Sequence, residues 1–203
     1  DAIATIPPIY FRLPEKAIAK YWNDISAAAP NTDYVIYNIP QLAGVALTMP
    51  LFDEMLKNPR VIGVKNSSMP IQDIQMFRRQ AKMNNREVVI FNGPDEQFIG
   101  GRMIGAEGGI GTTYNFMPDL MVKIYSLAAE NQMSEARVLQ SVANKAIATV
   151  LRNGVLPACK HLISLYGVPY GECREPFMPL DDEAKNDLYE NAWSIIEGFR
   201  NNG

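Results

Sequence analysis

The sequence is poor in the residues that build metal centres, disulfide frameworks and histidine-dependent catalytic sites. Its 203 residues include one histidine, His161, and two cysteines, Cys159 and Cys173. One histidine cannot supply a multi-histidine metal site and leaves little room for a Ser-His-Asp triad. Two cysteines are too few for a disulfide framework, so we expect a reduced, cytoplasmic protein.

The chain also lacks a strong charge imbalance and long apolar segments. Its net charge is −3 and its pI is about 5.3, whereas nucleic-acid-binding proteins normally present a basic face. No apolar run approaches the roughly 18 residues that a membrane span needs. The first residues lack the basic segment and the cleavage site of a secretory signal. We therefore expect neither a nucleic acid nor a membrane as a partner.

Short apolar segments alternate with segments of helical periodicity in the first half of the chain. The short segments are rich in β-branched or small residues and predict five strands. They are AIATI near residues 2–6, YVIYN at 34–38, VIGVK at 61–65, VVIFN at 88–92 and GGIGT near 108–112. Strands roughly 25 residues apart, each followed by a helix, are typical of βα units that share a parallel sheet. After Thr113 the pattern is helical, with one proline-rich interruption.

Polar and reactive residues follow directly after these predicted strands. Lys65 ends the third strand and Tyr37 lies near the end of the second, while Tyr10 follows the first. The segments NGPDE (92–96) and TTY (112–114) follow the fourth and fifth strands. Because the carboxyl ends of parallel strands meet on one face, we expect all five groups to converge there.

A lysine at the end of an apolar strand suits covalent chemistry with a carbonyl compound. Burial disfavours a charged ammonium, and an amine must be unprotonated to attack a carbonyl. The resulting protonated imine is an electron sink for cleaving or making a neighbouring carbon–carbon bond. A nearby tyrosine such as Tyr37 can move the proton that this step requires. Such a site needs neither a metal nor another cofactor.

Several ordered motifs resemble those of the N-acetylneuraminate lyases, in the superfamily of pyruvate-dependent class I aldolases that includes dihydrodipicolinate synthase. The motifs are YNIP (37–40), GVKNSS (63–68), NGPDE (92–96), GGIGTTYN (108–115) and REPFMPLDDE (174–183). The resemblance covers essentially the whole chain. It implies reversible cleavage of N-acetylneuraminate to N-acetylmannosamine and pyruvate, without a cofactor.

The resemblance also implies a role for each matching residue. Lys65 would form the Schiff base with pyruvate, and Tyr37 would be the proton shuttle. Tyr10 matches a tyrosine that reaches into the site of a neighbouring subunit. The sugar acid would be contacted by Ser67, Gly93, Asp95, Glu96 and Thr112. Ser67 departs from the family pattern, which more often has threonine there.

The fold that the resemblance implies is a (β/α)8 barrel with C-terminal helices. Residues 1–115 would supply the βα units of strands four to eight, and residues 116–203 the last barrel helix and a helical extension. We expect strands one to three, and the loop that binds the pyruvate carboxylate, on a complementary N-terminal segment. The complete protein is expected to be a homotetramer that binds the small molecules sialic acid and pyruvate.

Other interpretations of the same residues stay open. Lys65 could extend to water from a strand end, Tyr37 could be a core aromatic and Tyr10 could pack within its own loop. Asp95 and Glu96 could stabilise a helix N-terminus. The activity could be that of another pyruvate aldolase, such as dihydrodipicolinate synthase or a keto-deoxy sugar acid aldolase, although a polyol substrate suits the two carboxylates better. The chain could also be a non-catalytic fragment that lacks part of its barrel.

Overall fold

The computed structural model describes residues 1–202, which form two compact units that divide between Ile110 and Gly111. The first unit contains five parallel strands whose spatial order follows the chain. They are β1 (Ala2–Thr5), β2 (Asp33–Asn38), β3 (Val61–Asn66), β4 (Val89–Asn92) and β5 (Gly108–Gly109). This parallel arrangement confirms the βα units expected from the sequence.

One helix follows each of β1, β3 and β4, and two helices follow β2. They are α1 (Glu15–Ala28), α2 (Pro40–Ala43), α3 (Met49–Leu56), α4 (Gln72–Met83) and α5 (Phe98–Met103). Helix α3 begins where Thr48 accepts a hydrogen bond from the Leu51 N–H at 3.2 Å, with Pro50 in the first turn. This cap leaves one fewer backbone donor unpaired at the helix start.

The core of the first unit lies between the helices and one face of the sheet. Tyr34, Ile36, Val64 and Ile90 are fully buried there, with the helical side chains that include Trp22, Phe52 and Phe77. The Tyr34 hydroxyl pairs with the hydroxyl of Thr5, and burial raises the pKa of Tyr34 to about 12. Since side chains alternate along a strand, the next residues of β2, β3 and β4 face the opposite side.

The second unit is helical, as expected after Thr113. Its elements are a 3₁₀ turn at Thr112–Asn115 and the helices α6 (Pro118–Ala129), α7 (Met133–Arg152), α8 (Val155–Ser164), α9 (Asp182–Leu188) and α10 (Ser194–Asn202). Arg200 bonds Asp119 at 2.8 Å, and the Tyr166 hydroxyl donates to the Phe116 carbonyl at 2.7 Å. The first contact ties α10 to the start of α6, and the second ties the segment after α8 to the residues just before α6.

The structure departs from the sequence-based expectations in three places. Strand β5 has two residues rather than five, because its glycines bring no side chains to pack. Helix α2 was not expected, and the final helix contains a π-helical turn at Tyr189–Trp193, whose Asn191 carbonyl accepts from Thr149. Within residues 1–202, no helix has the length and apolar character required to cross a membrane.

Candidate active site

The lysine and tyrosine that the sequence predicts to be catalytic lie side by side at the carboxyl ends of neighbouring strands. Lys65 of β3 is the direct partner of Tyr37 of β2 in the parallel register, and both side chains are half-buried. The Lys65 Nζ atom lies 3.7 Å from the centroid of the Tyr37 ring. An amine and a phenol in this arrangement could form an imine and handle the associated proton.

A register shift determines which face of the sheet Lys65 occupies. Tyr34 pairs with Val61, but Val35 pairs with Gly63, so Ile62 is an extra residue in β3. Val61 lies in the helix-covered core. If side chains alternated without a break along β3, Lys65 would lie in that core too, because it is four positions later. The extra residue reverses the alternation, so Lys65 faces the same side as Tyr37.

Ser67 and Gly93 bring the loops after β3 and β4 into contact. The Ser67 N–H donates to the Asn38 carbonyl at 2.7 Å, and the Gly93 N–H donates to the Asn66 carbonyl at 2.8 Å. A β-carbon at position 93 would lie 2.0 Å from Ser67 Oγ and 2.7 Å from Ser67 Cα. Position 93 therefore needs glycine, because any side chain would push the two loops apart.

Asp95 and Glu96 lie in a short 3₁₀ turn, Asp95–Gln97, immediately beyond Gly93. Asp95 is buried and Glu96 is half-buried, and the Gln97 side chain contacts Met69 Sδ at 3.8 Å across the two loops. Carboxylates here can accept hydrogen bonds from substrate hydroxyl groups. They also suit the first turn of a helix, so the structural interpretation of these residues stays open beside the binding one.

Along the chain, Tyr10 follows β1 and Thr112 follows β5. Tyr10 is 91% exposed in the loop after β1, and its ring contacts Phe11 with the centroids 4.8 Å apart. Its φ of 86° is the left-handed conformation that residues other than glycine rarely adopt. Thr112 is exposed and begins the 3₁₀ turn of the second unit. The roles of both residues stay predictions.

The sequence interpretation missed a set of buried polar residues behind the reactive pair. Asn38, Asn66 and Asn92 end strands β2, β3 and β4, and each is at most 3% exposed. We call these three residues the asparagine row. Buried side-chain amides need hydrogen-bond partners, so three buried asparagines at the ends of adjacent strands are unusual. The sequence did carry a signal, since three successive apolar strands end in the same polar residue.

These features define a class of protein: a segment of a (β/α)8 barrel with a lysine at the carboxyl end of one strand and a tyrosine beside it. The model of the dihydrodipicolinate synthetase family matches residues 1–193. The chain therefore belongs to that family, which confirms the resemblance seen in the motifs.

Individual relatives agree with this assignment. The chain is 55% identical over 200 residues to the N-acetylneuraminate lyase of Mediterraneibacter gnavus, covering 97% of this chain and 62% of that protein. It superposes on the wild-type sialic acid aldolase of Ruminococcus gnavus with a TM-score of 0.93 and 54% identity, over 99% of this chain and 67% of that one. A Clostridium difficile protein, solved in complex with mannosamine, gives a TM-score of 0.89 and 30% identity, over 96% of this chain and 66% of that one. The chain thus spans somewhat less than two thirds of the length of the Mediterraneibacter relative.

Proposed function

We propose that this chain carries the Schiff-base site of a class I aldolase that cleaves N-acetylneuraminate reversibly to N-acetylmannosamine and pyruvate. The observation that carries the proposal is the Lys65 amine, 3.7 Å from the centroid of the Tyr37 ring at the carboxyl ends of two parallel strands. The names of the relatives, N-acetylneuraminate lyase and sialic acid aldolase, support the substrate.

The reaction proceeds through an imine on Lys65. The amine adds to the keto carbon of the open-chain sugar acid, and loss of water gives the protonated imine. Tyr37 gives its hydroxyl proton to the departing water, and the resulting phenolate then takes the proton of the hydroxyl on the carbon beyond the breaking bond. That oxygen becomes the aldehyde of N-acetylmannosamine, while the electrons of the carbon–carbon bond move to the imine and leave an enamine. Tyr37 then gives that proton to the enamine carbon, and its phenolate takes a proton from the water that attacks the imine, so hydrolysis releases pyruvate and restores both the lysine and the tyrosine.

The remaining site residues bind the sugar acid in this proposal. Asp95 and Glu96 accept hydrogen bonds from the hydroxyl groups of the polyol tail, which a shorter or less hydroxylated substrate would not offer. Ser67 and Gly93 line the approach to Lys65, and the family resemblance assigns Thr112 a contact with the sugar acid. The carboxylates are therefore the feature that favours a sialic acid over other substrates of pyruvate aldolases.

Reductive trapping tests the central role of Lys65. Incubation with pyruvate and borohydride of the protein completed by its N-terminal segment, the form used in every assay below, should add a reduced pyruvyl group to Lys65, located by peptide mass spectrometry. The Lys65→Arg variant keeps the charge but cannot form the imine, so it should stay unlabelled. Labelling at another lysine in the wild-type protein would contradict the assignment.

We also propose that further strands complete the barrel, and the unpaired edges of the sheet support this proposal. Among the residues that the structure describes, β1 pairs only with β2, and β5 pairs only with β4. Since a closed barrel of this kind has eight strands, we propose that three further strands on an N-terminal segment pair with these edges. Co-expression of residues 1–203 with the corresponding N-terminal segment of a relative should give a soluble complex. Independent migration of the two pieces would contradict the proposal.

We further propose a cytoplasmic homotetramer in which Tyr10 reaches the site of a neighbouring subunit. Ile9, Tyr10 and Phe11 are 60%, 91% and 70% exposed, and such a contiguous apolar patch is typical of an interface. The free thiols of Cys159 and Cys173 suit a reducing compartment. Light scattering should give a tetramer for the wild type and a smaller species for Tyr10→Asp. A wild-type monomer would contradict the proposed assembly.

A further inference from the structure

The three residues of the asparagine row lie at one level across three adjacent strands. Asn38 is the register partner of Asn66, and Asn66 is the register partner of Asn92. Each asparagine directly follows a residue whose side chain lies on the opposite face of the sheet, and these preceding residues are Tyr37, Lys65 and Phe91. The row therefore lies behind the reactive pair, on the side of the sheet that the helices cover.

Hydrogen bonds connect the first two members of the row to each other and to the next loop. The Asn38 amide Nδ2 donates to Asn66 Oδ1 at 2.7 Å, and Asn38 Oδ1 accepts from the Leu47 N–H at 2.9 Å. The Leu47 N–H can only meet an oxygen, which fixes the orientation of the Asn38 amide. The amide pair thus ties the end of β2 to the end of β3 and to the segment between α2 and α3.

The network continues from Asn66 to helix α4. The Ser68 hydroxyl lies 3.0 Å from Asn66 Oδ1 and 2.6 Å from Asp73 Oδ2, and its single hydrogen serves one acceptor at a time. Ser68 is 5% exposed. The loop that follows Lys65 is therefore held on one side by the end of its own strand and on the other by the first turn of α4.

The third member of the row shapes the loop that carries the two carboxylates. The Asn92 amide donates to the Pro94 carbonyl at 2.7 Å, which bends the chain towards the turn at Asp95–Gln97. A β-carbon on Gly101 would lie 2.5 Å from Asn92 Oδ1, so α5 packs directly against this amide. Asn92 thereby links the carboxylate-bearing turn to the helix behind it.

We propose that the asparagine row positions Tyr37 and Lys65 for catalysis, with the Asn38–Asn66 amide bond as its central element. The proposal rests on the function assigned above. The asparagines act as positioning residues, because their side chains are buried on the face away from the reacting groups. The backbone ladder already joins the two strand ends, and the side-chain bond adds a second connection at the same level, which fixes the spacing of the two residues that precede it.

Asn38→Asp removes the central bond with minimal change of shape. The carboxylate keeps an acceptor for the Leu47 N–H but loses the donor to Asn66 Oδ1, and two oxygens then face each other. A displacement of the order of 1 Å in a catalytic pair can slow turnover about 100-fold, so we expect kcat to fall by about 10- to 100-fold. The KM should change less than about threefold, since no substrate contact is removed.

Asn58→Asp is the matched control at the other end of β3. The Asn58 amide Nδ2 donates to Asn23 Oδ1 at 2.9 Å, and its Oδ1 accepts from the Arg60 N–H at 3.0 Å. The substitution therefore deletes the same kind of amide pair while keeping the same kind of backbone contact. It should lower the melting temperature yet leave kcat within about twofold of the wild type at a temperature where both variants are folded.

The outcomes separate this proposal from the proposed function. If pyruvate and borohydride fail to label Lys65 in the wild-type protein, the function is wrong, and positioning is then tested by the Tyr37–Lys65 separation in crystals of Asn38→Asp. If the wild type is labelled, unchanged turnover in Asn38→Asp overturns the positioning role, as does an equal loss in Asn58→Asp. Should Asn38→Asp fail to fold, Asn38→Ala removes the same bond without bringing two oxygens together, and its kcat decides in the same way.

Discussion

Lys65 Nζ lies over the face of the Tyr37 ring, 3.7 Å from its centroid, and the two residues are direct partners in the sheet register. A cation over an aromatic face is attracted by the negative potential of the ring. Among the described residues, none forms a hydrogen bond with the Tyr37 hydroxyl. The tyrosine therefore holds the lysine through its ring and keeps its hydroxyl available for a substrate.

Tyr37→Phe separates these two functions of the tyrosine. The ring remains, so the fold, the position of Lys65 and the borohydride trapping of pyruvate should all be retained. Loss of the phenol should lower kcat by about 100-fold or more, the usual scale for a positioned proton-transfer group. Steady-state assays of N-acetylneuraminate cleavage provide the measurement, and wild-type turnover in this variant would remove Tyr37 from the mechanism.

Replacing Asp95 by Asn and Glu96 by Gln tests the proposed contact with the polyol tail. Amides accept hydrogen bonds from hydroxyl groups more weakly than carboxylates do, so KM for the sugar acid should rise by about tenfold or more. Trapping of pyruvate should change little, because pyruvate has no polyol tail. Glu87→Gln, an exposed carboxylate just before β4, is the control that should leave both readouts unchanged. Equal losses for both ligands would favour the helix-stabilising interpretation.

Gly93→Ala should damage both stability and turnover. Its β-carbon would lie 2.0 Å from Ser67 Oγ and 2.8 Å from the Asn66 carbonyl oxygen, so the loop backbone has to move. Overpacking of this kind costs roughly 1–3 kcal/mol in the free energy of unfolding. Gly198→Ala is a matched control in α10, where an added β-carbon has no neighbour within 4 Å. Urea unfolding should give a lower free energy of unfolding than the wild type for Gly93→Ala but not for Gly198→Ala. Equal stability of the two variants would contradict the packing argument.

Tyr34 should make the protein sensitive to alkaline pH. Burial raises its pKa from 10.0 to about 12, so its contribution to stability is complete below pH 10 and is lost as the pH rises to 12. The difference corresponds to roughly 3 kcal/mol in the free energy of unfolding. The stability difference between the wild type and Tyr34→Phe should therefore shrink by up to this amount between pH 9 and 12. Tyr189→Phe, which removes the hydroxyl of an exposed tyrosine, should follow the wild type throughout.

Most of the strands and helices could be predicted from the sequence because their signals are local. Each apolar β-branched segment and each helical periodicity depends on neighbours within a few residues. The cap at Thr48 is local in the same sense. Helix α2 was missed because four residues, Pro40–Ala43, are too few to show a period. Strand β5 was predicted too long, since its two ladder positions are set by pairing with β4 rather than by β-propensity.

The candidate site was predictable where a polar or ionisable residue lies at the carboxyl end of a strand. Lys65 and Tyr37 were proposed in this way. The register shift at Ile62 was not, because it depends on how β3 pairs with β2. The asparagine row was missed for a related reason. The sequence shows three asparagines at strand ends, but only the parallel register brings them to one level and lets Asn38 and Asn66 bond.

The contact between Ser67 and Gly93 limits how the specificity of this site can be changed by mutation. Residues in contact have non-additive mutational effects, and a second contact, between Gln97 and Met69, joins the same two loops. A library that varies the residues of one loop alone would consist mainly of variants in which the two loops clash. New substrate preferences should instead arise from paired substitutions, in which a change at position 67 is selected together with its compensating change in the loop after β4.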